Sequence, residues 1–188
     1  DGDELAYLMQ TEHAAIVSTV AGFCSMSPSV ISLMHMRRAA VVAAMMGDEE
    51  RDIVQGAAKF LAINAQTNAG NSGFNPVTKY RRADYVCVDE PEARLAVGAQ
   101  YGSIEDLADA IAERMQCERV VITRGRSGAK ACAYVEGCVG KWIHMDIPAF
   151  ARHGIDTIGA GDAFLAVTAP LVAAGLDLEA AAFVGNVA

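Results

Sequence analysis

Tyr85-Val86-Cys87-Val88 runs directly into Asp89-Glu90-Pro91-Glu92, and Arg119-Val120-Val121-Ile122-Thr123 runs into Arg124-Gly125-Arg126-Ser127-Gly128. Both apolar, β-branched runs have the length of a buried strand, and both stop abruptly at polar or glycine-bearing chemistry. After the first run, an early proline and acidic residues suit the first turn of a helix. Between the two runs, Ser103-Ile104-Glu105-Asp106 reads as a capped helix start, and Leu107, Ile111 and Met115 continue an apolar stripe at i, i+4 spacing. Strand, helix, strand in this order predicts a largely parallel sheet covered by helices.

The pattern extends both ways. Upstream, Lys59 to Asn64 reads as a strand entering the polar loop Gln66 to Gly73. Downstream, Lys130 to Val135 and Lys141 to Ile147 read as a hairpin through the Gly137 and Gly140 region. A helix is expected from Ala160 to Ala174, stopped by Gly175 as a left-handed cap, and another from Leu178 to Val187. Residues 1–55 stay unassigned, with Ala39 to Met46 readable as strand or helix, and 56–188 form the unit with legible organisation. Met26, Met34, Met36, Met45 and Met46 read as packing side chains.

With 53% hydrophobic and 20% charged residues, the 188-residue chain can bury one real core, which excludes global disorder. A net charge of −8 argues against nucleic acid or anionic lipid as partner, since both need a basic face; Arg37-Arg38 and Lys79-Tyr80-Arg81-Arg82 are too short to supply one. Ala14 to Met34 carries no charged residue, but Gly22, Pro28 and its serines and threonines make it a poor membrane span. Five cysteines without a Cys-x-x-Cys pair point to a reducing, cytoplasmic setting. His13, His35, His144 and His153 show no metal-ligand spacing and read as surface or packed histidines, and Trp142 as hairpin or core packing. The chain opens on Asp1 rather than Met, which is taken as the mark of a fragment or processed product.

Chemistry concentrates in Asp156-Thr157-Ile158-Gly159-Ala160-Gly161-Asp162. Two glycines and an alanine leave backbone amides unobstructed where a long apolar helix begins, so the N–H groups and the helix dipole suit an anion. Asp162, ionised at neutral pH, is placed to accept a proton from an attacking hydroxyl. For the shorter Gly-x-Gly pattern alone, a glycine turn with Asp162 as a helix cap is the favoured explanation, because such short patterns are weak.

The full string through Phe164 resembles the Asp-Thr-x-Gly-Ala-Gly-Asp signature of the ribokinase-like (PfkB) carbohydrate kinases at every fixed position. The resemblance implies an α/β fold, a ribokinase-like three-layer sandwich with a mostly parallel sheet, here incomplete because the sugar-binding half and lid are largely missing. It also implies ATP-dependent phosphorylation of a sugar or sugar-like alcohol, with Gly159, Ala160 and Gly161 as the anion hole and Asp162 as the general base. Asp89-Glu90-Pro91-Glu92 is similar to the family's Asn-x-x-Glu motif, so Glu92, with Asp89 in the asparagine's place, would help organise Mg²⁺. Asp156 and the Ile158 carbonyl would serve a monovalent cation such as K⁺. Thr123, Gly125, Gly128 and Asn186 are candidate ATP contacts, with Arg124 and Arg126 adding charge toward phosphate or staying solvated. The asparagine-rich loop after Asn64 resembles the branch near heptose kinases. A small-molecule sugar is the expected substrate, and a homo-oligomer or a complementing partner could restore the missing half. Two alternatives stand beside the kinase: a nucleotide-binding remnant without turnover, and an interaction protein that has kept the fold.

Overall fold

The computed structural model describes residues 16–17, 39–42, 47–65, 73–135, 141–150 and 160–187. Among the described residues, seven strands form one sheet in sequential order: β1 (Ile16–Val17), β2 (Ala39–Val42), β3 (Phe60–Ile63), β4 (Tyr85–Asp89), β5 (Arg119–Thr123), β6 (Ala129–Val135) and β7 (Lys141–Ile147). The pairs from β1 to β5 are parallel, and β5–β6–β7 is antiparallel. The described helices are α1 (Asp48–Ala57), α2 (Glu90–Val97), α3 (Ile104–Arg114), α4 (Ala160–Ala173) and α5 (Leu178–Val187).

Alternation along each strand sorts side chains to two faces and makes two cores. Leu61, Ile63, Val86, Val88, Val120 and Ile122 pack with Val54 of α1 and with Leu107 and Ile111 of α3. Ala62, Tyr85, Cys87 and Val121 point the other way, against Phe164 and Leu165 of α4 and Ala181 of α5. Each fully buried leucine or isoleucine contributes about 1.5–3 kcal/mol, so neither helical layer is dispensable. Parallel crossovers that step in one direction with one hand stack their helices on one face, which leaves the opposite face for α4 and α5.

Local chemistry explains the boundaries. Ser103 Oγ accepts from Asp106 N at 3.0 Å and starts α3, whose stripe ends at Met115, the C-cap, fully buried. Gly98 ends α2 at φ +75°, and Gly175 follows α4 at φ +92°. Those are the left-handed positions where a side chain is strained. The expected hairpin is present, with Tyr134 opposite Trp142 and their rings 5.2 Å apart, edge to face. Its turn, residues 136–140, lies outside the described residues, as do the loop at 66–72 and the methionines at 26, 34, 36, 45 and 46.

The N-terminal region that the sequence left unassigned is partly legible in the structure. Ala39–Val42 pairs in parallel with Phe60–Ile63, and Asp48–Ala57 is the helix that covers this crossover. Four residues of strand carry too little periodicity to separate strand from helix; pairing with β3 decides it. No helix among the described residues is long and apolar enough to cross a membrane.

Candidate active site at the carboxyl edge of the sheet

Three elements converge where β3, β4 and β5 end. Asn64, one residue past β3 and nearly buried, donates from Nδ2 to Asp162 Oδ1 at 3.2 Å. Asp162 stands in the first turn of α4, where the helix dipole favours negative charge. Asp89 closes β4 directly beside Thr123, the last residue of β5. The thiol of Cys87, on β4, is buried; burial pushes it upward, a hydrogen bond with Tyr85 works the other way, and the charges of Glu92, Asp162 and Asp89 add a further upward push.

Asp89 and Glu92 also have a local role. Asp89 Oδ1 accepts from Glu92 N at 2.7 Å, and Glu92 Oε2 accepts from Asp89 N at 3.3 Å, a reciprocal capping box at the start of α2. Both acidic residues therefore complement the helix start, as helix-start chemistry alone would have them do.

Beside this cap opens a cavity of about 460 Å³ lined by Asp89, Glu90, Arg94, Thr123, Arg124 and Gly125 among others. Glu90 holds Arg94 at 2.7 Å and faces Arg124 Nε at 3.8 Å. Arg124 Nε is buried with no hydrogen-bond partner, and so is Asn64 Oδ1. A buried donor without an acceptor is costly, and an anionic ligand such as a nucleotide phosphate would satisfy the arginine. Among the described residues, nothing lies within 4 Å of where a Cβ on Gly161 would stand. The unpartnered Arg124 Nε would suit a nucleotide phosphate, and the carboxylates of Asp89 and Glu92 a divalent ion.

The remaining expected contacts are structurally engaged. Gly125 (φ +53°) and Gly128 (φ +79°) shape the tight loop after β5, closed by Arg124 N donating to Gly128 O at 2.7 Å. A Cβ at Gly128 would fall on the Ile147 carbonyl oxygen, and Pro148 O accepts from Asn186 Nδ2 at 3.4 Å. Gly128 and Asn186 thus grip the same segment from two sides. Asp156, Ile158 and Gly159 lie outside the described residues; Ala160 is exposed, and Gly161 and Asp162 are half-buried. The Asn64–Asp162 contact and the Arg94–Glu90–Arg124 arrangement were missed from sequence. Asn64 carried a usable signal, a lone asparagine at a strand's carboxyl end, but its partner is 98 residues away.

Comparison with known proteins follows this geometry. The model of the pfkB family carbohydrate kinases matches residues 57–188. The bifunctional protein HldE of Citrifermentans bemidjiense is 32% identical over 117 residues, 61% of this chain and 23% of that protein. HldE of Pelobacter propionicus is 33% identical over 137 residues, 66% of this chain and 27% of that protein. The structure of Arabidopsis thaliana ribokinase complexed with ribose and ATP is similar with a TM-score of 0.59 at 19% identity, covering 86% of this chain and 51% of that one. Escherichia coli phosphofructokinase-2 in complex with potassium gives a TM-score of 0.62 at 15% identity, covering 98% and 53%. The chain spans about a quarter of the curated relatives and about half of the solved structures it matches, and the fold is ribokinase-like.

Proposed function

Because the chain belongs to the pfkB carbohydrate kinase family, we propose that its carboxyl-edge site transfers a phosphoryl group from ATP to the hydroxyl of a sugar or sugar-like alcohol, with Asp162 as general base. The observation that carries this reading is the hydrogen bond from Asn64 Nδ2 to Asp162 Oδ1, which holds a carboxylate in the first turn of α4 at the strand ends. Bound ATP supplies the phosphoryl group, and Mg²⁺ offsets its charge.

Asp162 takes the proton of the acceptor hydroxyl and leaves its oxygen able to attack. Asn64 fixes the carboxylate's orientation, and orientation matters because a base must lie within hydrogen-bond reach of the proton it removes. The amides of Gly159, Ala160 and Gly161, with the α4 dipole, hold negative charge as it develops. Glu92 and Asp89 serve the divalent ion, while Asp156 and the Ile158 carbonyl serve a monovalent one. Thr123, Gly125, Gly128 and Asn186 form the nucleotide side, with Arg124 toward phosphate. The acceptor is a small sugar, which a second copy or a partner chain would help to position; the resemblance of the asparagine-rich loop after Asn64 to the branch near heptose kinases makes a heptose-like acceptor the first to try.

Phosphorylation of a sugar panel and calorimetric titration with a non-hydrolysable ATP analogue and Mg²⁺ test the assignment. Asp162→Asn is expected to lower turnover roughly 10²–10⁴-fold while analogue affinity stays within about twofold. Equal loss of turnover and affinity would contradict the base. A wild-type protein that binds the analogue but phosphorylates no sugar would instead be a nucleotide-binding module without turnover.

A further inference from the structure

The outer face of the β6–β7 hairpin is built in layers against α3. In the first layer, Lys130 and Asp146 are cross-strand partners, and Lys130 Nζ lies 2.7 Å from both Asp146 Oδ1 and Glu105 Oε1. One turn along α3 and one step along the hairpin, the same three elements supply Asp109, Cys132 and His144. Cys132 faces His144 in the register, His144 Nε2 is 2.8 Å from Asp109 Oδ1, and Cys132 Sγ donates to that same oxygen at 3.4 Å. The three ligand atoms lie within 4.8 Å of one another.

The two layers differ in one respect. The first holds its own cation, the Lys130 ammonium. The second brings an imidazole nitrogen, a sulfur and a carboxylate oxygen together, and no lysine or arginine among the described residues is paired with it. We propose that Asp109, Cys132 and His144 form a binding site for a borderline-soft divalent metal ion, of which zinc is the type. Sulfur and imidazole disfavour Mg²⁺ and Ca²⁺, which want oxygen, and match the ligand chemistry of Zn²⁺ and Co²⁺. Ligand atoms about 2.0–2.3 Å from a tetrahedral ion sit somewhat farther apart than the 2.8 Å His144–Asp109 contact. Binding therefore needs only a small opening of a hydrogen-bonded triad. His144 and Asp109 are partly exposed, their side chains 24% and 43% accessible, so an ion can enter and water can complete the coordination.

Charge and protons balance. The Cys132 thiol proton leaves to solvent, and the thiolate with the Asp109 carboxylate cancels the charge of a divalent ion; neutral imidazole contributes a lone pair. The ion would join α3 to both strands of the hairpin. No part of this depends on the kinase assignment.

Co²⁺ titration of chelator-stripped protein, followed by absorption, is the test. Expected is a near-ultraviolet thiolate-to-cobalt charge-transfer band with visible d–d bands, saturating at one ion per chain and bleached by Zn²⁺. Cys132→Ser should remove the charge-transfer band, Cys117→Ser should retain it, and His144→Asn should weaken binding roughly tenfold or more. His144→Asn keeps the proposal testable should Cys132→Ser fail to fold. Absence of the band in folded wild type, its survival in Cys132→Ser, or unchanged affinity in His144→Asn would overturn the site.

Discussion

Gly161 and Gly128 show how the same residue type answers to different demands. Gly128 is required by the fold, because its φ of +79° and the Ile147–Ala149 backbone leave no room for a side chain. Gly161 meets no such demand among the described residues: it stands in the first turn of α4, and none of them comes within 4 Å of where a Cβ would go. Alanine there should be neutral or raise stability by up to about 1 kcal/mol through helix propensity. If the open space serves an anion, Gly161→Ala will nonetheless weaken ATP-analogue binding, by roughly tenfold for each 1.4 kcal/mol of lost contact. Denaturant midpoints and calorimetry on the same samples separate the two effects; unchanged affinity would mean no ligand approaches Gly161. Both glycines were legible as turn or anion chemistry from the motif strings, but only the tertiary surroundings tell which one the fold itself requires.

At the scale of elements, α3 is bound to the hairpin by apolar burial and by the Glu105–Lys130–Asp146 group. The hydrogen bond from Lys130 holds Glu105 below its ordinary value of 4.5. Burial pushes Lys130 down, but hydrogen bonds to Asp146 and Glu105 outweigh it and raise the ammonium above 10.5. A depressed carboxylate stabilises the fold above its ordinary value and loses that contribution as pH falls through the folded one. A raised ammonium stabilises below 10.5 and loses its contribution as pH rises beyond it. Stability should therefore decline as pH falls from about 5 toward 3, and Lys130→Met should flatten that acid limb. Since Glu105 and Asp146 are substantially exposed, screening keeps the neutral-pH cost of Lys130→Met within about 1 kcal/mol. Urea titrations across this range read both quantities; an acid limb unaltered in Lys130→Met would remove the group from the account. The helix and both strands were readable from periodicity. Their charged partnership was not, because Glu105, Lys130 and Asp146 are far apart along the chain and meet only through the register.

Across the whole molecule, the sheet and the α4–α5 layer meet at a buried polar link. Tyr85 O–H and Thr168 Oγ1 lie 2.8 Å apart, and Thr168 Oγ1 donates to Phe164 O at 2.8 Å, so the tyrosine is the donor between them. Both residues are fully buried, and burial pushes the Tyr85 phenol well above its usual range. Thr168→Val keeps the shape and leaves the phenol the weak Cys87 sulfur as partner, so it should cost about 1–3 kcal/mol, whereas Tyr85→Phe removes the phenol hydroxyl and should cost less. Equal costs in chemical unfolding would mean that water or another group satisfies the phenol.

The chain's sequence by itself determined the alternation of strands and helices from residue 59 onward, the helix start at Asp89 to Glu92, the cap at Ser103 and the phosphate-type motif, because each depends on neighbours a few residues apart. Tertiary structure alone decided that Ala39–Val42 is a strand, that Asn64 reaches Asp162, and that Asp109, Cys132 and His144 share a corner. Those outcomes depend on sheet register and helix docking, which bring together residues that no local period relates.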